Sequence, residues 1–235
     1  MARVSERRVL PAPAEKAAAV DAMFDTIAPR YDRLNRILTL GLDVGWRRTA
    51  VRALGVPAGA RVLDIACGTG DFCRELAKQG ARPIGLDRSA GMLRATAAPV
   101  ATPLLRGDGL ALPLRDHAVD GITCGFALRN VVALEPLFAE CLRVLRPGGR
   151  VALLEVAEPE RAWARAGHRV YFRHVVPFVG GLLSDRAAYR YLPDSTEYLP
   201  APAELVARLE RVGFTAVTRR LLGLGAAQLL CGTAP

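Results

Sequence analysis

Val62-Leu63-Asp64-Ile65-Ala66-Cys67-Gly68-Thr69-Gly70 joins an apolar run to a glycine loop, and a helical pattern begins directly after it at Asp71. The run from Arg61 to Ala66 is short and mostly aliphatic, which reads as a buried strand. Phe72 and Leu76 then share one helical face, and Gly80 is suited to ending that helix. Glycines at 68 and 70 let backbone come close to a ligand, and the helix start offers amide groups with no partner inside the helix. The next apolar stretch, Arg82 to Asp87, is a second strand ending on a carboxylate. A carboxylate there accepts hydrogen bonds from ribose hydroxyls.

A nicotinamide fingerprint needs a third glycine after Gly70, and position 73 is cysteine. A Gly-x-Gly loop with Asp64 and Asp87 on neighbouring strands suits S-adenosyl-L-methionine, which has no pyrophosphate to seat. Carboxylates lining the site would also attract its sulfonium. A lone Gly-x-Gly reads equally as a tight turn, and the strand–loop–helix context sets that reading aside. Gly68, Thr69, Gly70 and Asp87 are therefore candidate cofactor residues. Asp108 and Gly109 follow the third strand, where a carboxylate can accept from an adenine amino group or simply close an Asp–Gly turn. Gly125 ends the fourth strand beside the same crevice.

Outward from the loop the strand–helix rhythm continues. Pro103 to Arg106, Val119 to Gly125 and Arg150 to Val156 are strands. Ser89 caps one helix, and Leu134 to Arg146 forms another that Pro147-Gly148-Gly149 stops. A helix from Pro202 to Val212 and strands around Phe214 to Arg220 and Ala226 to Cys231 complete the pattern. Such alternation predicts an α/β fold of Rossmann-like type: a mostly parallel seven-stranded sheet with helices on both faces. Residues 1–20 read as a flexible N-terminal arm and 21–235 as one domain. Asp21 to Leu54 is an N-terminal helical segment, with Met23, Phe24, Ile27, Tyr31 and Leu34 at helical spacing. Residues 159–195 read as a helical lid insertion, with six arginines between Arg161 and Arg190 against Asp185.

The formal charge is +9, carried almost wholly by arginine, since Lys16 and Lys78 are the only lysines. Without a basic stripe interleaved with aromatics, this balance does not indicate nucleic-acid binding. The five cysteines form no CxxC pair, which argues for a reducing, cytoplasmic setting and against a disulfide framework or metal site. His117, His168 and His174 show no metal-ligand spacing and read as surface positions, although the last two could touch substrate.

Three separated stretches carry a family resemblance. They are Met23-Phe24-Asp25-Thr26-Ile27-Ala28-Pro29-Arg30-Tyr31-Asp32-Arg33-Leu34-Asn35, with Trp46-Arg47 downstream; Gly125-Phe126-Ala127-Leu128-Arg129-Asn130-Val131, followed by Leu145-Arg146-Pro147-Gly148-Gly149; and Tyr189-Arg190-Tyr191-Leu192-Pro193-Asp194-Ser195. The chain resembles the class I methyltransferases, and among them the UbiE/MenG-type C-methyltransferases of quinone biosynthesis. The resemblance implies S-adenosylmethionine-dependent methylation of a ring carbon on a prenylated quinol, typically demethylmenaquinol to menaquinol. A methyltransferase of another small aromatic or natural-product acceptor, and a non-catalytic ligand-binding relative, are the alternatives. This sequence departs from the family at Gly125, Ala127 and Thr39, where serine, glycine and serine are usual.

C-methylation needs a neighbouring hydroxyl to ionise, so that electron density reaches the ring carbon. Arg129, always charged and forked, suits stabilisation of the resulting phenolate. Asn130 suits orientation of the other oxygen or the cofactor. Tyr31, Asp32 and Glu155 are candidates for positioning or proton removal. The basic, aromatic lid insertion reads equally as a cover for a tailed apolar substrate that rests peripherally on an anionic membrane surface and as a helical lid whose arginines are merely solvated.

Overall fold

The computed structural model describes residues 13–96, 102–171, 175–176 and 195–235. Strands β1 (Arg61–Ile65), β2 (Arg82–Asp87), β3 (Leu104–Arg106), β4 (Val119–Gly125), β5 (Leu145–Val156), β6 (Thr215–Leu222) and β7 (Ala227–Thr233) form one sheet in the order β3-β2-β1-β4-β5-β7-β6. The first five strands run parallel, and β7 is antiparallel to both β5 and β6. The chain winds to one side of β1 through β2 and β3, then restarts on the other side with β4. That reversal opens a crevice at the carboxyl ends of β1 and β4.

Helices α1 (Pro13–Ile27), α2 (Tyr31–Leu38), α3 (Leu42–Leu54), α4 (Asp71–Lys78), α5 (Ala90–Arg94), α6 (Leu134–Val144), α7 (Ala162–Val170) and α8 (Pro202–Val212) accompany the sheet. One sheet face packs Leu63, Ile122 and Leu153 against Phe138 of α6 and Leu205 of α8. The other packs Val62, Ala152 and Leu229 against Val51 and Leu54 of α3 and Phe72 and Leu76 of α4. Covered on both faces, β1 is buried almost from end to end, whereas edge strand β6 has no fully buried residue.

Two boundaries differ from expectation. Helix α6 ends at Val144, and Pro147-Gly148-Gly149 lies inside β5. Leu145 pairs with Val119, and the ladder resumes only with Arg150 opposite Gly121, so the Pro-Gly-Gly segment is a bulge. Pro147 has no amide to donate to a ladder, and Gly148 sits at φ +75°. Secondly, the expected arm is already helical from Pro13. Its Ala-rich start hid it, because small residues give no apolar stripe. Lys16 fastens this helix: its ammonium donates to Val131 O at 3.1 Å and lies 3.8 Å over the Tyr198 ring.

Residues 1–12 of the expected arm lie outside the described residues, as do Phe172, Arg173, His174, Phe178 and the Tyr189–Asp194 motif of the lid. No helix among the described residues is long and apolar enough to cross a membrane. All five cysteines are free and buried.

Candidate active site

Two clefts meet at the carboxyl edge of the sheet. The first opens over the β1–α4 loop and encloses about 920 Å³ of space continuous with solvent. Gly68, Asp87, Asp108, Gly109, Gly125 and Asn130 all line it. Gly68 has φ +54°, and a β-carbon built there would meet no protein atom within 4 Å. Thr69 and Gly70 shape the loop instead. The Thr69 hydroxyl donates to Asp32 of α2, and Gly70, at φ +84°, turns the chain into α4.

Asp87 locks this loop to β2. Its Oδ2 accepts from Gly68 N and its Oδ1 from Ser89 N, both at 2.8 Å, leaving further lone pairs for a ribose. Burial pushes the Asp87 carboxyl up in pKa, and the two amides oppose that. Asp108 accepts from Leu110 N at 3.0 Å and pairs with Arg88 at 2.5 Å; Arg88 in turn reaches Asp21 of α1 at 3.1 Å. Ile65, Leu86, Met92 and Leu137 supply apolar walls. A glycine loop, the Asp87 carboxylate at the cleft and its apolar walls fit S-adenosylmethionine. Asp87→Ala should weaken its binding by ~1.5–3 kcal/mol, a ~10–150-fold rise in Kd by calorimetric titration. An unchanged Kd would remove Asp87 from the ribose site.

Asp64 does not share this work. It is buried, accepts from Thr123 Oγ1 at 2.8 Å and Cys73 Sγ at 3.6 Å, and lines neither cleft. Burial pushes its pKa up to about 7. Alternate residues of a strand face opposite ways, and Asp64 faces α4 rather than the crevice.

The second cleft encloses about 1130 Å³ and is largely apolar, with Leu38, Leu42, Trp46, Val156, Tyr171 and Val176 among its walls. Tyr31 and Phe126 line both clefts and so mark their junction. Phe126 holds φ +58°, an uncommon conformation for a bulky residue, and its ring packs on Trp46 with centroids 6.3 Å apart. Burial raises the pKa of Tyr31, which stays a phenol.

Arg129 lines the second cleft, yet most of its donors are committed to the protein. Nη1 donates to Glu155 Oε1 at 2.5 Å and to Phe126 O at 2.7 Å, while Nε donates to Ser195 Oγ at 3.0 Å. Asn130, its neighbour, falls on the cofactor side. Glu155 is fully buried and also accepts from Arg129 N and Val156 N, which fits a structural partner and not a base. Asp32 clamps Thr69 and lies 3.5 Å from Arg74, so it positions the loop. His117 is exposed, whereas half-buried His168 lines the second cleft.

Gly125 is explained by its neighbour. A β-carbon there would sit 2.6 Å from the Phe72 ring, so a serine would require that ring to move. Sequence reasoning missed Val20, Asp21 and Arg88 on the cofactor cleft and Leu38, Leu42 and Val176 on the other. Arg88 had one available signal, its position immediately after Asp87 at the end of the second strand.

The model of the ubiE/COQ5 methyltransferase family matches residues 13–234. A demethylmenaquinone methyltransferase of Roseiflexus castenholzii is 45% identical over 95% of this chain and 97% of its own. A ubiquinone/menaquinone biosynthesis C-methyltransferase UbiE of Syntrophotalea carbinolica is 43% identical over 89% and 92%. Among solved structures, a SAM-dependent methyltransferase of Thermotoga maritima superposes with a TM-score of 0.65 at 19% identity, covering 91% of this chain and 99% of that one, a likeness of fold. The chain belongs to the ubiE/COQ5 methyltransferase family and is an S-adenosylmethionine-dependent methyltransferase.

Proposed function

We propose that the protein methylates a ring carbon of a prenylated quinol, demethylmenaquinol in the first instance. The carrying observation is the shared wall: Tyr31 and Phe126 line both the cleft over the glycine loop and a large apolar one. Bound S-adenosylmethionine supplies an electrophilic methyl group. The protein's own residues do the rest. Trp46 and Phe126 offer flat apolar surface to a fused ring, and Leu38, Leu40 and Leu42 continue it towards solvent for a tail. Arg129 holds positive charge beside the ring oxygen as it ionises, in a site where low water content strengthens that attraction. The fixed walls hold ring carbon and methyl near ~3–3.5 Å, where alignment supplies much of the rate.

The tail implies a bilayer, and the rim of the acceptor cleft supports contact with one. Leu40 is 80% exposed and Leu224 77%, both at positive φ on loop tips, and Leu224 follows Gly223, which abuts Trp46. Holding leucine in that conformation costs about 1–2 kcal/mol, which needs a return elsewhere. Of the described lid arginines, Arg165 donates to Pro159 O and Glu160 O, and Arg169 pairs with Glu158 at 2.8 Å. The apolar rim is the membrane contact that the described residues support.

Incubation with S-adenosylmethionine and quinols of graded tail length, with and without liposomes, tests both readings through product mass. A one-methyl mass gain on demethylmenaquinol is expected. Leu40→Ser/Leu224→Ser should cut turnover of long-tailed, liposome-borne quinol several-fold and spare a short soluble one. No methylation of any quinol sinks the acceptor; equal loss on both substrates sinks the rim.

A further inference from the structure

We infer that Asp32 and Arg36 are positioning residues that tie the acceptor wall to the cofactor loop, so that filling one cleft organises the other. The inference rests on the reading of the second cleft as the acceptor site. It concerns how α2 is held, not which acceptor the cleft takes.

Helix α2 has little apolar anchorage. Of its eight residues only Leu34 is buried, among Ile27, Ala28, Met92 and Val176. Helical spacing sorts the others into faces. Tyr31, Asn35 and Leu38 follow one another at steps of four and three residues, and all three line the second cleft. Asp32 and Arg36, four residues apart, line neither cleft. They grip the cofactor loop and the start of α4 instead.

The Thr69 hydroxyl donates to Asp32 Oδ1, and Arg74 Nη2 lies 3.5 Å from Asp32 Oδ2. Arg36 Nη2 donates to Asp71 Oδ1 at 2.9 Å. Arg74 closes the ring, donating from Nη1 to Thr69 O at 2.8 Å and pairing with Asp71. Thr69 is therefore held at its hydroxyl by α2 and at its carbonyl by α4. Its neighbour Gly68 lines the cofactor cleft. The network also runs on into α3. Arg36 pairs with Asp43, Asp43 pairs with Arg47, and Arg47 Nη1 lies 3.4 Å from Asp71 Oδ2. Asp43 and Arg47 line the second cleft, and the Arg47 guanidinium lies 5.4 Å from the centroid of the Phe126 ring.

Asp32, Asp43 and Asp71 balance Arg36, Arg47 and Arg74. Such partly buried pairs add little net stability, but they fix a geometry, because a misplaced member leaves charge unpaired. A helix with one buried leucine takes its position from them. A ligand that steadies the Gly68–Thr69 turn thus steadies Tyr31 and Leu38. By linkage, an acceptor steadies the turn to the same extent.

Arg36→Met is the discriminating variant. Without the guanidinium, Asp43 keeps Arg47 and the Thr39 hydroxyl, and Asp71 keeps Arg74, so thermal melting should show an intact fold. Wild type should bind a short-tailed naphthoquinone about 10-fold tighter with S-adenosylhomocysteine present than without it. In Arg36→Met that factor should fall towards one and the acceptor KM should rise to match. Cofactor Kd, and kcat at saturating acceptor, should stay near wild type. Arg36→Lys, which keeps the charge but reaches one carboxylate, should recover part of the factor. Asp32→Asn/Arg36→Met should lose it wholly. Hydrogen exchange gives a readout independent of the acceptor: S-adenosylhomocysteine should slow exchange across α2 in wild type and not in the double variant. Protection of α2 that persists in the double variant overturns the inference and leaves the Leu34–Met92 contact as the link. A wild-type quinone affinity indifferent to S-adenosylhomocysteine overturns it too. Parallel losses of cofactor affinity, kcat and melting temperature in Arg36→Met do the same, since they reduce the network to a structural one. A wild type that binds no quinone, yet shows the α2 protection, removes the acceptor reading and keeps the tie.

Discussion

Gly68→Val should abolish S-adenosylmethionine binding, with no titratable heat at concentrations about 100-fold above the wild-type Kd. Two independent effects converge on this position. Gly68 sits at φ +54°, where a side chain strains the backbone and a β-branched one strains it most. A β-carbon there would also meet no protein atom within 4 Å, because it would point into the open cleft. Valine would therefore leave the fold intact while its methyl groups occupied the cofactor's space. The backbone strain adds to this, because Gly68 N must stay aimed at Asp87 Oδ2. A folded Gly68→Val protein that binds with unchanged affinity would show that the loop is a turn and nothing more.

The glycine loop was legible in the sequence because local chemistry fixes it: Gly68 and Gly70 hold positive φ, and Asp87 at the end of β2 accepts from Gly68 N. The sheet was legible for a related reason, since buried parallel strands leave continuous apolar runs between Gly- and Pro-rich turns. What escaped was anything built from distant segments. Leu38, Trp46, Phe126, Val156 and Ala226 meet around the acceptor cleft although they come from both ends of the chain. Trp46-Arg47 was visible as a motif, but not as a wall beside Phe126. Asp64 misled because spacing alone does not say which face of a strand a residue takes. His168 read as a surface position that could touch substrate, and it is half-buried on the second cleft.

Glu155→Ala should lower the melting temperature by about 6–20 °C, and its cause separates two roles of Arg129. Glu155 is 0% exposed and accepts from Arg129 Nη1, Arg129 N and Val156 N. Removing it leaves a guanidinium, itself 5% exposed, without its counter-charge. Uncompensated buried charge costs about 3–5 kcal/mol, and a domain of this size loses about 2–4 °C per kcal/mol. Replacing both partners with apolar groups of similar shape removes that penalty, so Arg129→Met/Glu155→Leu should recover most of the stability. On the proposed role of Arg129 it should not recover turnover, because the charge assigned to the phenolate is gone. Arg129→Lys completes the comparison. It keeps a charge, loses the fork that holds Ser195 and Phe126 O, and should retain cofactor affinity with much reduced kcat. Melting curves, cofactor titrations and turnover on the three variants then divide the residue's contributions. If the apolar pair restores turnover together with stability, Arg129 frames the junction at Phe126 and takes no part in stabilising the phenolate.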